Sequence, residues 1–204
     1  SKVSTKIELL QNLISKVENI IIGGGMANTF LLASGKRIGI SLCEPTLTHI
    51  AKDIIAKAEI EGCKIHLPND IVTSKTLDGV NKIRSSDVNS CPPDEMIFDC
   101  GEKSLEKYIN VINLSKTIVW NGPLGVFEKE PFHLGTERLA KFIAKKTIDG
   151  FLNSVAGGGD TVAALNKYNL SHQISYVSTA GGAFLEWLEG KNLPGLNVLE
   201  KKSS

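Results

Sequence analysis

Six short apolar runs, each closed by glycine, proline, asparagine, aspartate or serine and separated by stretches of helical periodicity, constrain this chain most. The runs are Asn19 to Ile22 before Gly23-Gly24-Gly25, Lys64 to Leu67 before Pro68-Asn69-Asp70, and Met96 to Phe98 before Asp99-Cys100-Gly101. Thr117 to Trp120 precedes Asn121-Gly122-Pro123, Phe151 to Ala156 precedes Gly157-Gly158-Gly159, and Ile174 to Val177 precedes Ser178-Thr179-Ala180-Gly181-Gly182. Helical patterns occupy Ile7 to Lys16, Met26 to Ser34, Thr46 to Glu61, Ser104 to Ser115, Thr136 to Lys146, Asp160 to Tyr168 and Phe184 to Glu189. Near-continuous apolar strands alternating with helices fit a parallel sheet covered on both faces. The one hairpin-like dipeptide, Asn121-Gly122, leads into Pro123 instead of a returning strand. Val72 to Pro93, rich in Ser, Asn, Asp and Lys, reads as a surface excursion.

The 204 residues contain neither an internal repeat nor a low-complexity linker, so residues 1–204 are read as one domain. A formal net charge of +1 gives no sign of a nucleic-acid or membrane partner. Cys43, Cys63, Cys91 and Cys100 show no Cys-x-x-Cys pair and no histidine at zinc spacing. They are expected to be reduced, in a cytoplasmic protein. No apolar run approaches the ~18 residues of a membrane span. The opening Ser1-Lys2-Val3-Ser4 reads as a cut inside a larger protein.

In an open parallel sheet, ligands bind beyond the carboxyl ends of the strands, where this sequence gathers its glycines. Gly157-Gly158-Gly159-Asp160-Thr161 links a strand to a helix. Such a turn leaves backbone N–H groups unpaired at the positive end of a helix dipole, a setting for phosphate. Asp160 could hold Mg²⁺ beside it, and Thr161 adds a hydroxyl. A simple helix N-cap accounts for the pentapeptide equally well. Trp120 through Glu128 combines a fixed turn at Gly122-Pro123, apolar Val126-Phe127, and a Glu128 suited to a ribose diol. Alternatively, it is a rigid loop whose Trp and Phe plug the core. No Gly-x-x-x-x-Gly-Lys-Ser/Thr is present, which excludes a P-loop. Neither glycine triad completes the dinucleotide fingerprint, so an NAD dehydrogenase is a rival of little weight.

The motifs Lys2-Val3-Ser4-Thr5-Lys6, Gly23 through Phe30, Trp120 through Glu128, Ala156 through Thr161 and Ser178 through Ala183 follow one another in order. Together with the tail Leu188 through Gly195, this order resembles phosphoglycerate kinase over essentially the whole chain, and specifically its carboxy-terminal, nucleotide-binding half. The amino-terminal half, which in the family holds 3-phosphoglycerate and a catalytic arginine, is not in this sequence.

The resemblance implies a three-layer Rossmann-like α/β domain with a six-stranded parallel sheet in the order 3-2-1-4-5-6, helices on both faces. It implies reversible phosphoryl transfer from 1,3-bisphosphoglycerate to ADP in glycolysis, with Mg²⁺ and ATP or ADP bound, by a monomer. The rival is a nucleotide-binding module without activity. By the same carry-over, Lys2, Gly181 and Gly182 serve the phosphoryl group in flight and Lys6 the nucleotide phosphates. Gly23, Gly24 and Gly25 border the adenine, with Leu42 and Met96 nearby. Asn121 faces the phosphates, Pro123 and Val126 line the nucleoside pocket, and Glu128 binds the ribose. Asp160 holds Mg²⁺, with Gly158, Gly159 and Thr161 around the β-phosphate. The last turn carries Ala180 where the family usually has glycine. Phosphoryl transfer needs positioning and charge neutralisation more than a protein nucleophile. Accordingly, His49, His66, His133 and His172 are read as surface or packing residues.

Overall fold

A computed structural model describes residues 3–78 and 83–178. Lys2, Ala180, Gly181, Gly182 and the helical pattern from Phe184 to Glu189 lie outside the described residues. The chain begins with a 3-10 turn at Val3–Thr5 and helix α1 (Ile7–Leu13), then strand β1 (Asn19–Ile21) and helix α2 (Gly24–Ala33). A 3-10 turn at Pro45–Leu47 leads into α3 (Thr48–Ile60), followed by β2 (Lys64–His66), β3 (Asp70–Ser74), β4 (Arg84–Asp87) and β5 (Met96–Cys100). The remaining elements are α4 (Glu102–Leu114), β6 (Thr117–Trp120), α5 (Leu134–Ile148), β7 (Asn153–Gly157), α6 (Gly159–Lys167) and β8 (Tyr176–Ser178).

Apolar side chains at helical spacing select each helix's inner face. Ala51, Ile54 and Ala58 of α3 are buried, as are Leu105, Tyr108 and Ile112 of α4 and Leu139, Ala140, Ile143 and Ala144 of α5. One core gathers α4, α5, β6 and β7 around Tyr108, Trp120, Leu152 and Leu165. A second joins α1, α2, α3 and β1 around Ile14, Ile22, Phe30 and Ile54. Phe30 and Leu31 are both almost fully enclosed, each contributing about 1.5–3 kcal/mol by burial.

The parallel character expected of the strands holds for five of them. β1 pairs with β2 from Asn19↔Lys64 to Ile21↔His66. β7 lies between β6 and β8, parallel to both. The described ladders nevertheless form sheets of two, three and three strands instead of one sheet of six. The expected third parallel strand, β5, pairs antiparallel with β3, which pairs antiparallel with β4.

This three-stranded sheet corrects the surface-excursion reading of Val72 to Pro93, since that stretch holds most of β3 and all of β4. The polar composition misled because the inward polar groups of β3 find partners. Thr73 is fully buried, and its Oγ1 donates to Glu95 Oε2 at 2.5 Å. Glu95 in turn meets Arg84 Nε of β4 at 3.3 Å through Oε1. β4 itself is a largely exposed edge, where Arg, Ser and Asp are at home. Cys43 is half-buried and Cys63, Cys91 and Cys100 are buried, all four without a disulfide partner. Among the described residues no helix is long and apolar enough to cross a membrane.

Candidate functional site

Two helices open on glycine at the carboxyl ends of parallel strands. α2 follows β1 with Gly23 at its N-cap, and α6 follows β7 with Gly158 at its N-cap. Neither cap uses a side chain; at α2 the Gly24 N–H is taken by the Leu124 carbonyl, and the remaining first-turn N–H groups of the two helices have no acceptor within their own helix. Gly158 has φ +90° and Gly24 φ +60°, left-handed conformations that a side chain would strain.

The segment after β6 spans both turns. Gly24 N–H donates to the Leu124 carbonyl at 2.7 Å. A Cβ on Gly23 would lie 2.6 Å from Leu124 Cδ2 and 3.2 Å from Leu124 Cα, so a side chain there would force Leu124 to shift. At the other turn Gly122 N–H donates to Thr161 Oγ1 at 2.6 Å, and Asn121 Nδ2 to the Gly157 carbonyl at 3.2 Å. Lys6, buried at the N-cap of α1, donates its ammonium to Asn121 Oδ1. The structure therefore brings Lys6, Gly23, Gly24, Asn121, Pro123, Gly158 and Thr161 into one contiguous arrangement, with Gly25 and Gly159 in the first turns of the two helices.

The segment's backbone is held from several sides. Trp120 Nε1 donates to the Gly122 carbonyl at 2.7 Å, and Leu124 N–H to Thr136 Oγ1 at 3.1 Å. Val126 N–H reaches the Phe98 carbonyl at 2.9 Å, and Lys167 Nζ the Phe127 carbonyl at 2.7 Å. A loop whose polar groups are satisfied in this way is preorganised and loses little freedom on binding.

The remaining predicted residues fall as follows. Pro123 and Val126 are half-buried, while Glu128 and Asp160 are exposed. Asp160 lies in the first turn of α6, where the helix dipole favours a carboxylate. Thr161 is fully buried, and its hydroxyl accepts from Gly122, so its side chain joins loop to helix. Leu42 is exposed, with its carbonyl accepting from Asn28 Nδ2 at 3.0 Å; Met96 is half-buried in β5. His66 Nε2 lies 2.8 Å from Asn19 Oδ1, and His133 lies at the N-cap of α5, 3.4 Å from Glu137. Both act in packing and helix-end contacts. Sequence reasoning missed Thr136 and Lys167, which brace the segment; no local pattern marks either one.

These features define an α/β protein in which two glycine-opened helix N-termini and a buried lysine converge on one loop. The family model "Phosphoglycerate kinase" matches residues 1–191, and the chain belongs to that family. It is 56% identical over 200 residues to "Phosphoglycerate kinase" from Zymomonas mobilis, covering 98% of this chain and 50% of that protein. A relative of the same name from Chelativorans sp. is 52% identical over 201 residues, 98% of this chain and 50% of its own length. Among solved structures, phosphoglycerate kinase from Coxiella burnetii superposes with a TM-score of 0.90 at 47% identity, covering all of this chain and 51% of that one. The enzyme from Pyrococcus horikoshii gives 0.77 at 29% identity, covering 98% and 50%. The chain spans about half the length of the curated relatives it matches.

Proposed function

We infer that this chain is the nucleotide-binding, carboxy-terminal half of a phosphoglycerate kinase, serving reversible phosphoryl transfer from 1,3-bisphosphoglycerate to ADP. The observation that carries the reading is the Asn121–Leu124 bridge, which contacts both glycine turns and the buried Lys6 at once. Diphosphate oxygens fit against the N–H groups opening α6 and against Lys6. The nucleoside fits along Gly23–Gly25, Pro123 and Val126, with the exposed Glu128 reaching the ribose. The parallel ladders are then portions of the sheet order 3-2-1-4-5-6, with the Gly24–Leu124 hydrogen bond joining the turn after β1 to the segment after β6.

Among the described residues no group of three or more His, Cys, Asp or Glu could cage a metal. One exposed carboxylate, Asp160, nevertheless fits Mg²⁺, which keeps several waters and takes phosphate oxygens as its other ligands. Bound there, Mg²⁺ would neutralise phosphate charge. Lys2, Gly181 and Gly182 complete the reading as the groups that meet the transferred phosphoryl. An amino-terminal domain supplies phosphoglycerate binding, and the enzyme works as a cytoplasmic monomer. Transfer needs both substrates held in line with water excluded. The 204 residues alone therefore bind nucleotide without turning over. Calorimetry with ADP at matched Mg²⁺, beside a coupled ATP-formation assay on the same sample, tests this. Binding without turnover is expected. Lack of binding sinks the site, and robust turnover sinks the half-enzyme reading.

A further inference from the structure

Asp99, near the end of β5, is only 3% exposed and has no part in the nucleotide contacts proposed above. Its carboxylate is the point where β5, the start of α5 and the 121–128 segment meet. Oδ2 accepts from Gly135 N–H, in the first turn of α5, at 2.8 Å. Oδ1 accepts from Cys100 N–H at 2.8 Å. The segment presses on the same group. A Cβ on Gly125 would lie 2.4 Å from Asp99 Oδ1 and 2.7 Å from the Phe98 carbonyl. One on Gly135 would lie 2.5 Å from Oδ1. Two glycine backbones therefore close on one carboxylate. Beside them Val126 bonds the neighbouring Phe98 carbonyl, and Gly125 N–H reaches Thr136 Oγ1 at 3.4 Å.

We propose that Asp99 is a positioning residue for nucleotide binding, its carboxylate fixing the height of Gly125 and Val126 against α5 and thereby the shape of the 121–128 segment. This rests on the reading of that segment as the nucleotide loop. The amides bonded to Asp99 favour its ionised form, but burial outweighs them and pushes its carboxyl from the ordinary range up to about 7. Around it, burial raises the Cys100 thiol and the phenols of Tyr108 in α4 and Tyr168 at the C-cap of α6, with Asp99 adding to each. Asp70 of β3 acts on Cys100 and Tyr108, while Glu137 and Glu128 act on Tyr168. Arg138 of α5 also interacts with the Cys100 thiol, while His133 at the N-cap of α5 and Lys167 at the end of α6 are further titratable groups on the two helices. On losing its charge, Asp99 keeps only one good acceptor oxygen for two amides, and the segment loosens.

The test compares the parent chain with Asp99→Asn and Gly125→Ala. It measures Mg·ADP affinity by calorimetry and amide hydrogen exchange across 121–128, from pH 6 to 8.5. In the parent, affinity should rise several-fold with pH, with a midpoint near 7, and the protection of the segment's amides, corrected for the base-catalysed intrinsic exchange rate at each pH, should rise in parallel. Asp99→Asn should bind at least five-fold more weakly at pH 8 and lose that pH step; a pH step that survives in this variant overturns the assignment to Asp99. Gly125→Ala, which keeps the carboxylate but displaces the segment, should weaken binding similarly and decides the matter if Asp99→Asn does not fold. Parent-like affinity and pH profile in Asp99→Asn overturn the proposal. Faster exchange spread evenly over the whole chain also overturns it. If the parent binds no nucleotide, the nucleotide reading fails by itself, and exchange confined to 121–128 still decides the role of Asp99.

Discussion

Helix α4 draws its N-terminal cap from a strand far away in sequence, and replacing Asp70 by alanine should expose how much the fold depends on that loan. Gly101, the residue before the helix, offers no side chain. Asp70, 6% exposed, supplies the carboxylate: Oδ1 accepts from Ser104 N–H at 2.8 Å and Ser104 Oγ at 2.5 Å, and Oδ2 from Lys103 N–H at 3.0 Å. A Cβ on Gly101 would meet Oδ2 at 2.3 Å, so the glycine makes room for the remote cap. Hydrogen bonds to a charged acceptor are worth about 1.5–3 kcal/mol each, and leaving a buried donor unpaired costs about 1–3 kcal/mol. An ordinary local N-cap contributes about 0.5–2 kcal/mol. The Lys103 amide can recover part of its loss through water, so Asp70→Ala should cost about 3–5 kcal/mol. Asp70→Asn, which keeps one acceptor oxygen, should cost about 1–2 kcal/mol. Urea unfolding followed by circular dichroism measures both, with an unchanged m-value expected. At this chain length the alanine variant should melt lower by about 6–20 °C. An alanine loss below about 1 kcal/mol, or equal losses for alanine and asparagine, would refute the remote-cap reasoning.

Other outcomes follow from the site. Asp160→Ala should weaken ADP binding in Mg²⁺ while leaving metal-free binding and the unfolding midpoint nearly unchanged; equal metal dependence in variant and parent would remove Asp160 as a ligand. Glu128→Gln should weaken ADP more than 2′-deoxy-ADP, by a gross loss of roughly 1.5–3 kcal/mol, and identical losses for the two nucleotides would leave the loop with a structural role only. Thr161→Val, which removes the acceptor for Gly122 N–H, should destabilise by about 1–3 kcal/mol, read by thermal melting. Asp99 gives a pH signature of its own. Its folded-state carboxyl titrates near 7 against 3.8 ordinarily, so the unfolded chain releases the proton first. Its contribution to stability therefore falls between pH about 4 and 7 and is flat above, and Asp99→Asn should remove that slope from a series of urea titrations.

The elements most legible in the sequence are those whose stability comes from their own periodicity. Thr117–Trp120 falls on the expected residues, and the α3, α4 and α5 patterns differ from the structure by a turn or less at their ends. Gly23 and Gly158 were legible as helix openings because a glycine after an apolar run is a local signal. β3 and β4 were not legible, because Asp70, Thr73 and Ser74 are polar yet buried and β4 is a solvated edge. Their stability comes from Ser104, Glu95 and Arg84, which no window around residue 73 contains. The same reason hid Asp99, Thr136 and Lys167: each supports the 121–128 segment from another part of the chain. The family resemblance assigned Lys6 and Asn121 separately to the nucleotide phosphates, but their direct contact was not legible, since the two lie more than a hundred residues apart.

The tight fit of Gly23 against Leu124 also sets a rule for recombining this chain with its relatives. A fragment exchange that ends between residues 25 and 120 separates Gly23 from the Leu124 side chain that closes over it, and the two partners of the Gly24–Leu124 hydrogen bond with them. Chimeras that inherit both turns from one parent should retain the rim. Those that split them keep the fit only where position 23 stays glycine or position 124 can give way, so the useful unit of inheritance here is a spatial pair and not a continuous stretch of chain.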